Sequence, residues 1–162
     1  MNASLMVGMA EYKVTRTSGE VLVALGLGSC IGVCAFDPTA RVAGMAHVVL
    51  PQSAGHEQSP GKFADTAIPL LIAQMVQQGA SPARLRVALA GGAQLFALGG
   101  SGPRMEIGAR NAAAVQEILE RSRIPIIASD VGGKTGRTVH LFTDGRVRVK
   151  TIGQGERDLI TL

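Results

Sequence analysis

The chain has no tryptophan, one tyrosine and four phenylalanines, so aromatic residues make up only 3% of it. Single-stranded nucleic acids bind on aromatic platforms set in basic grooves. Such platforms are nearly absent here, and the 16 Lys and Arg residues are scattered singly, without a run. Nucleic acid is therefore not an expected partner. Cysteine is equally sparse. Cys30 and Cys34 are the only two, too few for a disulfide framework in a chain of this size. The histidines His47, His56 and His140 are not paired at metal-ligand spacing, and two thiols fall short of the four ligands of a structural zinc site. No metal is expected. No apolar run approaches the roughly 18 residues that cross a bilayer. Met1–Ala10 lacks the cationic and apolar regions of a signal peptide. The expectation is a reduced, cytoplasmic protein without membrane insertion.

What is present fits one globular domain, residues 1–162. A chain of 162 residues with 46% apolar composition can bury about two thirds of its unfolded surface without staples. The 21 glycines follow no collagen period, and point to tight turns and close backbone approaches. The net charge of +4 is uneven. From Arg84 onward there are 12 basic and 7 acidic residues, and before it 4 and 5. The basic half favours an acidic partner surface, but for residues scattered singly, solvated surface charge is the better explanation.

Apolar patterning predicts strands over Met6–Val14, Glu20–Leu27, Cys30–Phe36 and Arg41–Leu50. An exposed loop follows over Pro51–Gly61. Ala64, Ala67, Ile68, Leu71 and Met75 fall on one face of a helix, stopped by Gly79. Pro69 must sit in its first turn or kink it. Leu85–Ala90 reads as a strand and Leu98–Pro103 as a glycine-rich loop. A second helix carries Asn111, Val115, Ile118, Leu119 and Ser122, with Glu117 and Arg121 paired on its wet side. Strands Ile124–Ser129, Arg137–Phe142 and Arg146–Ile152 close the chain, the last two joined by the turn Thr143–Gly145. Mostly strands with two inserted helices means an α+β class.

Two phosphate-loop matches fail. Ala128–Thr135 ends in Gly-Gly-Lys-Thr, but begins with alanine and leads into a strand, not a helix. Gly26 and Gly28 begin a dinucleotide fingerprint whose third glycine is replaced by Ile31. One constellation survives. Gly26-Leu-Gly28-Ser29-Cys30 puts a thiol after a strand in a glycine turn, whose N–H groups could face an oxyanion. Seventeen residues later, His47 lies inside an apolar strand, sharing a face with Met45 and Val49. Neighbouring strands could bring His47 to Cys30, and a histidine that takes the thiol proton makes a nucleophile. The same residues also suit an ordinary core. Cysteine is among the most buried residue types, and a core histidine needs only one partner. Cys34, without a glycine cradle, reads as core.

The chain resembles the chemoreceptor glutamine deamidase family of bacterial chemotaxis, CheD. The matching segments are Leu25–Cys30, Gly44–His47 with Leu50-Pro51, Pro60–Asp65, Gly91–Ala93, Ile107–Asn111, and Asp130–Gly133 with Arg137. They keep the family's order from about Val7 to Ile152. The resemblance implies two packed mixed β-sheets with helices on one side, a cysteine-hydrolase-like β/β/α sandwich. It implies Cys30 as nucleophile and His47 as general base; Gly28 and Ser29 are the expected oxyanion turn by the glycine-turn reading above. It implies a protein-glutamine deamidase acting on chemoreceptor cytoplasmic helices; that chemistry needs no metal or organic cofactor, and a monomer is the expected acting form. A CheC-type phosphatase is a second implied partner. The family's third catalytic residue is a threonine six positions before the cysteine, and this sequence has Ala24 there. That departure leaves an alternative: a weakly catalytic or non-catalytic regulator that docks on receptors or on the phosphatase.

Overall fold

The computed structural model describes residues 3–55, 58–94 and 107–162. Ten strands among the described residues form two five-stranded sheets. The first holds β1 (Ala3–Met6), β3 (Glu20–Leu27), β8 (Arg137–Phe142), β9 (Arg146–Thr151) and β10 (Gly155–Thr161), in that order. The second runs β2 (Tyr12–Thr15), β5 (Val42–Val48), β4 (Ile31–Asp37), β6 (Arg86–Gly91) and β7 (Ile126–Val131). Both are mixed: β1–β3 and β6–β7 pair parallel, the others antiparallel. Among the described residues, two α-helices, α1 (Ala64–Gln77) and α2 (Ile107–Arg121), pack on the sheets.

The layering follows from side-chain alternation. Along β4, Ile31, Val33 and Ala35 join the core beneath the helices, while Cys34 and Phe36 join the core between the sheets. Along β5, Val42, Ala46 and Val48 face the helices and Ala43 and Met45 the other sheet. Both faces of the second sheet are therefore covered, and every residue of β4 and β5 is buried. The order is sheet, sheet, helices, so the expected β/β/α sandwich is the observed one. Fully buried Ile31, Leu89, Leu22 and Leu141 each contribute about 1.5–3 kcal/mol by leaving water.

The helix α1 buries Ala64, Ala67, Ile68, Leu71 and Met75, the five residues that the spacing selects. Gly44 lets it approach: a Cβ there would lie 2.7 Å from the Met75 sulfur. The helix ends at Gly79, with φ +107°, where the Ala80 N–H reaches the Met75 carbonyl. Pro69 is not in the first turn but inside the helix. It lies on the exposed face with Asp65, whose carbonyl loses its i+4 donor. On α2, Glu117 and Arg121 are both exposed, with no ion pair between them among the described residues.

The strand expected over Met6–Val14 is two strands, β1 and β2, in different sheets. The chain crosses between sheets over Val7–Glu11, with Ala10 at φ +67° and the Gly8 N–H held by the Glu11 carboxylate at 2.7 Å. β10 was not signalled by alternation. Its residues Gly155–Asp158 are exposed, and its pairing is reinforced by Arg148–Asp158 at 2.9 Å. The expected loop Leu98–Pro103 and His56 lie outside the described residues.

Candidate active site

Cys30 sits in the turn Gly28–Cys30 between β3 and β4. Its neighbours explain the tightness. Gly91 has φ +114°, and a Cβ there would lie 2.1 Å from the Cys30 carbonyl oxygen, so only glycine fits. Gly92 donates its N–H to that oxygen at 2.8 Å, and Ala93 donates to the Gly28 carbonyl at 2.8 Å. Asn111 Nδ2 donates to the Ser29 carbonyl at 2.9 Å. All three carbonyls of the turn are thus taken. The N–H groups of Gly28, Ser29 and Cys30 find no acceptor among the described residues. Free donors in a half-buried turn are what an oxyanion site requires.

His47 lies on β5, opposite Gly32 of β4. Cys30 precedes Gly32 by two positions, so the two side chains belong to one face as diagonal neighbours. That face looks into the space between the sheets, where a Cβ on Gly32 would meet Val139 and Leu27. His47 Nδ1 lies 3.0 Å from the Val7 carbonyl oxygen. A carbonyl only accepts, so Nδ1 carries the hydrogen and Nε2 keeps its lone pair. The crossing segment thus orients the ring by a main-chain group. Ala24, the counterpart of the family threonine, is fully buried in the inter-sheet core.

No hydrogen bond joins Cys30 to His47 among the described residues. Burial pushes the Cys30 thiol above its ordinary value. Burial pushes His47 down, against smaller upward pulls from the Val7 carbonyl and the Glu11 charge. Both shifts favour neutral thiol and neutral imidazole. Cys34, on the same face of β4, is fully buried and pushed up to about 12 by desolvation, which suits its reading as core.

A cleft of about 160 Å³ opens beside His47, lined by Met6, Val7, Gly8, Met9, Val23 and Leu25. Met6, Met9 and Leu25 are well exposed around it. Cys30 does not line this cleft. Among the described residues, no group of three or more His, Cys, Asp or Glu side chains is arranged to hold a metal.

The remaining matched segments converge on the same corner. The Lys62 carbonyl accepts from Val49 and Leu50, just after His47. Asp65 receives the Ser53 N–H at 3.0 Å. Buried Arg137 donates to the Gly91 and Gly132 carbonyls and faces Asp130 at 3.6 Å, steadying the glycines behind Cys30. Gly132 and Gly133 have positive φ and lead to β8, so no helix follows the Gly-Gly-Lys-Thr run.

The family model for CheD chemotactic sensory transduction matches residues 49–151. The chain belongs to the CheD family. A CheD relative from Symbiobacterium thermophilum, named probable chemoreceptor glutamine deamidase CheD, is 48% identical over 94% of this chain and 95% of its own length. Thermotoga maritima chemoreceptor glutamine deamidase CheD is 43% identical over 94% of both chains. The CheD protein of Halalkalibacterium halodurans is 42% identical over 98% of this chain and all of its own. A Neisseria meningitidis protein of the DUF152 family shares the fold at TM-score 0.52, covering 83% of this chain and 64% of that one, at 12% identity.

Two contributors escape sequence reasoning. Val7 acts through its carbonyl, which no side chain encodes. Asn111 stood among the residues expected on the buried helix face, and only the fold shows that its amide reaches the Gly28–Cys30 turn.

Proposed function

We propose that this chain is a protein-glutamine deamidase that converts chosen glutamine side chains of chemoreceptor cytoplasmic helices to glutamate, releasing ammonia, in chemotactic adaptation. Its CheD relatives are named chemoreceptor glutamine deamidases, which supports the reading. The observation that carries the proposal is the register Gly32–His47, which puts the one cysteine set in a glycine turn on the face of the one histidine held by Val7.

The chemistry follows. His47 Nε2 takes the Cys30 thiol proton as substrate enters, and sulfur attacks the carboxamide carbon. The negative oxygen meets the N–H groups of the Gly28–Cys30 turn, each such donor contributing about 2.7–4 kcal/mol. The carbon–nitrogen bond breaks as His47 returns the proton to the leaving ammonia. Water, losing a proton to His47, then splits the thioester. Carboxylate and free thiol result, with no oxidant or reductant required. Neutral starting groups suit this path, because proton transfer accompanies attack. The Val7 carbonyl fills the orienting role that Ala24 cannot. Action in the cytoplasm as a monomer, and docking of a CheC-type phosphatase, belong to the same reading.

The test is ammonia release and mass spectrometry on a chemoreceptor cytoplasmic fragment with wild type and Cys30→Ala. Glutamate appearing at discrete glutamines with wild type alone is the expected result. A second reading rests on Ala24: a regulator that binds without turnover. A fragment that binds but is not converted by either protein would favour it.

A further inference from the structure

We propose that Asn111 is a positioning residue of the deamidase, clamping the nucleophile turn to the strand that carries the base. The inference deepens the deamidase reading and rests on it. Asn111 is fully buried on α2. Its Nδ2 donates to the Ser29 carbonyl at 2.9 Å and to the Val49 carbonyl at 2.9 Å. Ser29 precedes the nucleophile by one residue, and Val49 follows the base by two. An amide nitrogen has two hydrogens, and both are committed to main-chain oxygens flanking the reactive pair. One side chain therefore sets the spacing of turn and strand.

The clamp also sets the direction of the turn. In a trans peptide the carbonyl and the next N–H point opposite ways. With the Ser29 carbonyl drawn to Asn111, the Cys30 N–H is turned away from α2. Ala93 does the same for the Gly28 carbonyl, turning away the Ser29 N–H. Close packing supports the arrangement: a Cβ on Gly108, one helical turn before Asn111, would lie 2.4 Å from the Gly92 carbonyl oxygen. Asn111 Oδ1 has no hydrogen-bond partner among the described residues. An orphaned buried acceptor weakens the fold, so packing alone does not account for asparagine here. An apolar residue would fill the space, but leave both main-chain carbonyls unbound.

The test compares wild type, Asn111→Asp and Val115→Ala on a chemoreceptor cytoplasmic fragment. Asp is close in shape to Asn, but sets an oxygen where the two N–H groups stand. Val115→Ala truncates the same buried helix face without touching either carbonyl. Asn111→Asp should lower kcat about 100-fold with KM within about twofold. Val115→Ala should lose thermal stability and keep kcat. Should Asn111→Asp fail to fold, Asn111→Ser, smaller and uncharged, carries the same expectations. Wild-type kcat in the Asn111 variant, or an equal kcat loss in Val115→Ala, overturns the assignment. The backbone amide resonances of Ser29 and Cys30 give a reading that needs no substrate. They should move in the Asn111 variant and hold in Val115→Ala, and resonances that hold in both overturn the clamp. A wild type that fails to deamidate refutes the activity, while these resonances still decide the clamp.

Discussion

Strand β4 ends in a buried polar group on each side, and the two ends are built oppositely. At Asp37 the carboxylate is fully matched. It accepts the N–H groups of Thr39, Ala40 and Ser81 at 2.9, 3.1 and 2.8 Å, and the Arg84 guanidinium stands 3.0 Å away. Burial would raise this carboxyl, but Arg84 and the three N–H groups outweigh it and hold it at about 2. At Cys30 the carbonyls of the turn are matched, and its N–H groups find no acceptor among the described residues. The thiol is raised with no charge to hold it. Matched polarity anchors the fold. Unmatched polarity beside a histidine is where a substrate oxygen would complete the pattern.

The largest effect that separates the two ends is Cys30→Ala. It should abolish deamidation, at least about 1000-fold, with little change in unfolding free energy. Loss of activity explained by unfolding would break the comparison. His47→Gln should cost about 100- to 10,000-fold in kcat, again with the fold retained by circular dichroism. Asp37→Ala should do the converse. It leaves buried N–H groups and Arg84 unmatched, so denaturant titration should show a loss of about 3 kcal/mol, while kcat of the folded fraction stays near wild type.

Acid sharpens the contrast. Asp37 is lowered in the fold, so its stabilisation is complete above the unfolded value, near 3.9, and is lost as pH falls toward about 2. Asp37→Asn should flatten stability across that window. His47 is also lowered, so its neutral form stabilises the fold above its ordinary value, near 6.5, and that share fades as pH falls below it. The acid limb of kcat/KM should accordingly lie below about pH 6.5. The smallest effect is chemical. Iodoacetamide should modify Cys30 slowly at neutral pH and faster as pH rises past the ordinary thiol value, with Cys34 untouched in the native protein. A rate plateau below pH 7 would show a preformed thiolate instead.

Much of this was legible in the residues. The buried face of α1 and the bounds of β3 follow from periodicity, and the glycine turn drew attention to Cys30. What escaped has identifiable causes. β1 and β2 read as one strand because apolar spacing runs on through Val7 and Met9, while the crossing depends on a left-handed Ala10. β10 is held by ion pairs and main-chain bonds at a sheet edge, so it shows no apolar alternation. The orientation of His47 rests on a carbonyl, and the Asn111 clamp links residues 82 and 62 positions apart. Neither leaves a pattern along the chain.

The central claim is that Cys30 attacks the glutamine carboxamide. Rapid acid quench of wild type mixed with a receptor fragment, followed by mass spectrometry of the Cys30 peptide, tests it most directly. The account predicts a thioester adduct on Cys30, heavier by the glutamine-bearing peptide less one ammonia, that appears before glutamate and is absent from Cys30→Ala. Deamidation that continues in Cys30→Ala at the wild-type rate would contradict it.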